Sequence, residues 1–415
     1  MTATPDAPNL PAGFDPTDPD LCQAGIPFEQ FLELRQTAPV WWVEQSPDAR
    51  AGFPGNGYWA VSKHEDVAAV SKNSKDFSSQ ENGAIIRFAP DMTRDQVEVQ
   101  NVMLINQDPP NHTKTRQIIS RGFTPRSIGA LHEILVERAN TIVDDAIAKG
   151  SGDFVSEVAA ELPLQAIADL MGVPQADRRK LFDWSNTMMS YDDPDFIDTP
   201  DTAAAEILGY AMGLAEERRK SPQDDIITKL ITADVDGHGM LSEDEFGYFV
   251  IMLAVAGNET TRNAITHGMN AFFSHPDQWD LWKAERPETM VDEVIRWATP
   301  VTVFQRTALN DVVVGDVEVK KGDRVGLFYA SANHDEDVFD DPNTFDITRD
   351  PNPHLSFGGH GAHYCIGANL ARLEVEIMFN TIADRMPNIA KEGEARRLRH
   401  GWINGIKELP VRYSD

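Results

Sequence analysis

Cys365 sits in the run Phe357-Gly-Gly-His-Gly-Ala-His-Tyr-Cys365-Ile-Gly367, which constrains the fold more than any other stretch of the chain. The residues that follow, Ala368 to Phe379, are helix formers with apolar side chains at 370, 373, 377 and 378, so the cysteine falls at a helix N-terminus. There the helix dipole and the unpaired backbone N–H groups favour a thiolate over a thiol. Gly358, Gly359, Gly361 and Gly367 clear side chains away from the sulfur. The chain has to fold so that something large and flat can lie against one sulfur atom.

Two plainer readings compete on these residues alone. A lone cysteine is most often a small buried hydrophobe. His354, His360, His363 and Cys365 also crowd into one segment, as zinc ligands do. That set lacks a second cysteine pair, however, and His360 and His363 flank a glycine turn rather than share a helix face.

No proline-, glycine- or serine-rich linker, repeat or low-complexity stretch divides the 415 residues after the first 25 or so. This predicts a polar, proline-rich extended arm over 1–27 and a single domain over 28–415, with 41% hydrophobic residues to fill its core. A formal charge of −29 argues against nucleic acid or anionic membrane as a partner. Two cysteines, no basic and apolar leader, and a longest apolar run of only Phe249 to Ala256 predict a cytoplasmic protein without a membrane span.

Helical periodicity dominates, over Ile128–Lys149, Leu162–Met171, Ala203–Lys220, Ser242–Ser274 and Glu288–Ala298. Strand patterns are few: Gly57 to Ser62, and Val312–Val319 with Arg324–Phe328 as a hairpin about the turn Lys320–Asp323. The expected fold is mainly helical with small sheets.

The pattern Ser242–Ser274 would run roughly 50 Å as one helix, opening with the capping box Ser242-Glu-Asp-Glu245. Its apolar stripe breaks at Ala256-Gly-Asn-Glu-Thr-Thr261, where the same face presents Gly257, Thr260 and Thr261. A buried stripe normally stays apolar, so the break marks a site or a local bulge. Glu293 and Arg296 stand at i and i+3, a pairing usually found on surfaces. In Asp108-Pro-Pro-Asn-His112-Thr-Lys-Thr-Arg116, His112 and Arg116 share a helix face and suit a carboxylate, or simply face solvent. Asp234 to Glu245 mimics a calcium loop, but its fifth position is His238 and no second loop pairs with it, so a turn is expected there.

These motifs, with Ala332-Asn-His-Asp335, occur in the order found in the cytochrome P450 superfamily, and the resemblance covers nearly the whole chain. It implies a triangular-prism fold with haem b held between a long distal helix and the cysteine-loop helix, and Cys365 as axial iron ligand. His112, Arg116, Arg306 and His363 match positions that bind haem propionates, and Glu293 with Arg296 resembles the structural pair behind the haem. Glu259 and Thr260 match the groups that relay protons to O2, the co-substrate. The loop departs from the usual pattern in two ways. Phe357 precedes Cys365 by eight residues rather than the usual seven, and His363 stands where arginine is common.

The stretches 81–88, 252–263, 297–307 and 361–372 are similar to actinobacterial steroid C26/C27-monooxygenases, which oxidise a terminal methyl of cholesterol or cholest-4-en-3-one. By that similarity Ile85, Phe88, Met188, Val255, Val301, Val303 and Trp402 would line the substrate pocket, although ordinary core packing would explain each. The family implies electrons from a ferredoxin and its NAD(P)H-dependent reductase, docked on a basic patch at Lys114, Arg121, Arg126 and Arg372. The alternatives are a branched fatty acid or terpenoid as substrate, or a haem-thiolate sensor or steroid-binding protein without catalysis. A sensor has no need of the Glu259–Thr260 pair.

Overall fold

The computed structural model describes residues 8–196, 200–223, 225–232 and 241–414. Its axis is a 32-residue helix, Glu243–Ser274, started as expected by a capping box between Ser242 and Glu245. Against it pack the helices Glu161–Met171, Arg178–Met189, Pro200–Lys220, Met290–Ala298 and Ala368–Arg385, and His132–Lys149 packs on the first and last of these. They enclose a large apolar core that includes Phe246, Phe249, Ile265 and Phe272 of the long helix. Close approach is made possible at Gly268, where a Cβ would stand 2.7 Å from Phe379 on the helix after Cys365 and 2.8 Å from Val294.

The β component is small. One five-stranded sheet has the order Val40–Glu44, Gly57–Val61, Arg324–Phe328, Val303–Ala308, Phe77–Ser78. Gly57–Val61 pairs in parallel with Arg324–Phe328, and the other neighbours are antiparallel.

Three expectations change here. The hairpin about Lys320–Asp323 does not form. Val312–Val314 instead turns back on Val317–Val319 at Gly315, whose φ of 54° suits glycine, and Arg324–Phe328 joins the main sheet. The helical pattern Ile128–Lys149 divides into Pro125–Gly129 and His132–Lys149. The arm over 1–27 is not extended throughout: Pro19–Ala24 is helical, with proline in its first turn and Asp18 accepting the Asp20 N–H at 2.9 Å. Residues 234–240 of the calcium-like loop lie outside the described residues. Among the described residues no helix is long and apolar enough to cross a membrane.

Candidate active site

The break in the long helix's apolar stripe faces a cavity of about 240 Å³, many times the space a single water needs. Ala256, Gly257, Thr260 and Thr261 form one wall, and Cys365, Ile366 and Gly367 stand at another. The expected bulge is absent, because the helix runs unbroken through these residues. The Thr260 hydroxyl donates to the Ala256 carbonyl at 2.6 Å, as a mid-helix threonine can.

The cysteine turn is held by the Cys365 N–H, which donates to Phe357 O at 2.9 Å, and by Tyr364 N–H to Gly361 O at 3.0 Å. The additional residue between Phe357 and Cys365 is absorbed away from the sulfur, against the end of helix His64–Lys72. Ser71 Oγ donates to Gly358 O at 2.7 Å, and a Cβ on Gly361 would stand 2.0 Å from Ser71 O. His360, at a φ of 63°, stacks on Tyr364 with ring centroids 5.5 Å apart. The Cys365 side chain lies deep in the protein yet open to the cavity. Burial raises its thiol pKa, while the Gly367 N–H and the charges of Arg116 and Arg372 pull the other way.

Four further residues converge on the same cavity: His112, Arg116, Arg306 and His363 all line it. The rings of His112 and His363 lie 4.2 Å apart, and His363 Nε2 bonds Ser79 Oγ at 3.1 Å. Burial and the neighbouring arginines hold His112 near pKa 4 and His363 well below the usual range. Arg116 donates to Tyr364 O at 2.6 Å and Arg306 to Gln305 O at 2.7 Å, and neither has a carboxylate partner among the described residues. Buried His112 Nε2 has no protein partner among the described residues. Arg306 is buried and Arg116 half-buried, and cations so placed without anions are costly, so a flat, largely apolar molecule carrying two carboxylates, which is what haem is, fits this donor set together with the cysteine sulfur.

A zinc site does not form. His354 Nε2 bonds Asp292 at 3.1 Å, His360 stacks outward on Tyr364, and the described residues hold no group of three or more His, Cys, Asp or Glu arranged for a metal ion. Glu293 and Arg296 are not the surface pair their spacing suggests. Both are fully buried, and Arg296 donates to the two carboxylate oxygens at 2.7 and 2.8 Å and to the carbonyls of Asn333 and Pro342.

Other expected positions are not at the cavity. Glu259 is buried beside it and bonded to Arg262 rather than lining it. Of the seven pocket residues expected, only Val301 lines it. Ile85, Val255, Val303 and Trp402 pack with Val301 in a neighbouring apolar cluster, where Trp402 Nε1 donates to Tyr191 Oη at 2.7 Å. Phe88 stacks edge-on against Phe53, and Met188 packs on the main core. The cavity is lined instead by Leu104, Ile105, Phe304 and Pro300, with residues of the long helix. Phe249, Met252 and Leu253 on that helix were legible from their spacing, one and two turns before Ala256 and Thr260. Leu104 and Ile105 sit in short irregular turns with no periodicity to reveal them.

Comparisons with known proteins agree with this geometry. Residues 287–385 match the Cytochrome P450 family. The chain is 61% identical over 406 residues to a Steroid C26-monooxygenase of Rhodococcus jostii, covering 98% of this chain and 86% of that one. It is 42% identical over 396 residues to a Methyl-branched lipid omega-hydroxylase of Mycobacterium tuberculosis, covering 92% and 90%. Among solved structures, Mycobacterium marinum cytochrome P450 CYP268A2 in complex with pseudoionone superposes with a TM-score of 0.89 at 34% identity, covering 98% and 100%. The chain belongs to the cytochrome P450 family: it is a monooxygenase that uses haem b, with O2 as co-substrate.

Proposed function

We propose that this enzyme hydroxylates the terminal methyl group, C26 or C27, of the side chain of cholesterol or cholest-4-en-3-one in sterol catabolism. One oxygen atom of O2 enters the C–H bond and the other leaves as water, with two protons and two electrons consumed. A ferredoxin and its NAD(P)H-dependent reductase supply the electrons, and further oxidation of the alcohol to aldehyde and acid is within the same chemistry. The observation that carries this reading is the 61% identity, across nearly the whole chain, to a protein named for steroid C26 oxidation.

In this reading Cys365 would ligate the haem iron, and His112, Arg116, Arg306 and His363 would hold the propionates, the two arginines through charge-assisted hydrogen bonds. When bound, the haem supplies the activation of O2, which thiolate ligation favours. The residues of the chain do the rest. Thr260 presents its hydroxyl at the cavity wall and Glu259 supplies protons behind it. Phe249, Met252, Val301 and Phe304 give an apolar wall that excludes water and admits a hydrocarbon chain end. A terminal C–H bond is stronger than an internal one, so shape has to select it. Glu293 and Arg296 serve folding, not chemistry. Lys114, Arg121 and Arg126, all exposed, form the ferredoxin patch with Arg372, whose Nε is already held by Asp292 at 2.8 Å. We place the enzyme in the cytoplasm, where the two unpaired cysteines stay reduced.

The test is a titration of the oxidised enzyme with cholest-4-en-3-one and, separately, a long methyl-branched fatty acid, following the haem spectrum. A low-to-high-spin shift at lower concentration of the sterol supports the reading. A shift with the fatty acid alone moves the substrate to a branched lipid, and no shift with either removes the substrate assignment.

A further inference from the structure

Val301 and Phe304 line the cavity, and the layer behind them brings hydrogen-bonding side chains from three distant segments to one corner. The Trp402 ring stands 5.9 Å from that of Phe304, and Ile403 bridges Val301. Trp402 Nε1 donates to Tyr191 Oη at 2.7 Å, and Tyr191 Oη donates in turn to Arg87 O at 3.1 Å. The Arg87 side chain lies over Gly401, where a Cβ would stand 2.4 Å from its Cδ and 3.3 Å from its Nε. That Nε is buried without a hydrogen-bond partner among the described residues. Its ion-pair partner Asp192 keeps Oδ2 3.8 Å away, too far for a hydrogen bond, and accepts the Gly401 N–H at 3.3 Å instead. The Arg87 side chain is 18% exposed and that of Asp192 6%, so the corner lies just inside the surface. Buried donors are normally satisfied, and one left without an acceptor points to a ligand.

We propose that Arg87 receives the 3-oxygen of the sterol, donating to it from Nε, and that Asp192 beside it distinguishes a 3-hydroxyl from a 3-ketone. The proposal rests on the reading of the substrate as cholesterol or cholest-4-en-3-one. Such a molecule carries its one oxygen on a rigid ring body, at the end remote from the methyl that is oxidised. With the chain end at Thr260, the rings have to extend past a cavity that also takes the haem. What lies next to that cavity is the apolar cluster of Met189, Val255, Val301, Phe304 and Trp402. An oxygen buried there without a donor would forfeit its hydration. Arg87, packed on Gly401 at the edge of this cluster, supplies the donor. A ketone only accepts, whereas a hydroxyl accepts and donates. Arg87 therefore serves both sterols. The Asp192 carboxylate serves the hydroxyl alone, because it accepts from the O–H and repels the lone pairs of a ketone.

The experiment titrates the oxidised holoenzyme with cholest-4-en-3-one, cholesterol and 5α-cholestane, which keeps the rings and side chain without the oxygen, and reads Kd from the haem spin shift. A hydrogen bond from a charged donor predicts that wild type binds each oxygenated sterol about tenfold or more tighter than the cholestane. R87M should cut that advantage to about threefold or less with the cholestane Kd little changed, and R87Q, which keeps a neutral donor, should lie between. D192N should weaken cholesterol relative to cholest-4-en-3-one by about threefold. Equal affinity for the three ligands in wild type, or an equal loss on all three in R87M and R87Q, overturns this proposal alone. An unchanged ratio of cholesterol to ketone affinity in D192N removes Asp192 from the subsite. No spin shift with any sterol in wild type overturns the substrate reading and this proposal with it.

Discussion

Arg296 grips both carboxylate oxygens of Glu293, at 2.7 and 2.8 Å, with neither side chain reaching solvent. Arg349 Nε, Asn352 Nδ2 and the Asp346 N–H also donate to Glu293, at 3.2, 3.0 and 3.0 Å. Removing one partner of such a pair leaves a buried charge and costs about 3–5 kcal/mol. Glu293→Ala is therefore expected to lower the denaturant midpoint sharply or to abolish folded haem protein. Arg296→Lys, which loses the two-pronged geometry, should do so less severely. A loss below about 1 kcal/mol in Glu293→Ala, the range of exposed pairs, would contradict the structural role.

The cysteine turn distinguishes two of its glycines. A methyl at Gly361 would collide with the backbone oxygen of Ser71 at 2.0 Å, whereas one at Gly367 meets nothing closer than Cys365 Sγ at 3.9 Å. Gly361→Ala should displace the turn and lower both haem content and Tm. Gly367→Ala, which keeps the N–H directed at the sulfur, should retain haem. Equal haem retention in both variants, by absorbance against protein concentration, would show that the turn is not pinned at Ser71.

Glu374 lines the cavity from the helix after Cys365, and burial pushes its carboxyl to about 8, opposed only by the Thr261 hydroxyl. The folded protein thus keeps a proton that the unfolded chain gives up near 4.5. The unfolded state binds fewer protons between those values, so this group's contribution to stability falls as pH rises from about 4.5 to about 8. Glu374→Gln should be the more stable protein at pH 8, with the advantage vanishing near pH 4.5. A stability difference independent of pH in thermal melts would refute the buried, protonated carboxyl.

Thr260→Ala should bind substrate as wild type does and consume NAD(P)H at a comparable rate, but divert much of it to peroxide. General acid assistance is typically worth about 10²–10⁴-fold, so product per electron pair should drop clearly. Unchanged coupling would remove Thr260 from the relay.

Much of this architecture is legible in the chain because it rests on local chemistry. Ser242 and Glu245 announce the start of the long helix, and the break in its stripe at Gly257, Thr260 and Thr261 marks the cavity wall. His112, Arg116, Arg306 and His363 are reached through motif order, and all four line one cavity. What the chain hides is orientation between distant segments. Nothing in the spacing of Glu259 and Arg262 says that Asn186 completes their link, since it lies 76 residues from Arg262. Trp402 and Val303 are apolar residues near the site, yet their direction is set by partners such as Tyr191 and the sheet register, so they pack beside the cavity rather than into it. The Gly315 turn, too, prevails over the more obvious Lys320–Asp323 turn because the main sheet claims Arg324–Phe328.

The most direct test of the central claim is product analysis by mass spectrometry and NMR after turnover of cholest-4-en-3-one with ferredoxin, reductase and NAD(P)H. The account predicts a single oxygen at C26 or C27, appearing first as the alcohol and incorporating label from ¹⁸O2. Oxygen on the ring system or at an internal side-chain carbon, or no product while a methyl-branched fatty acid is oxidised at its end, would contradict it.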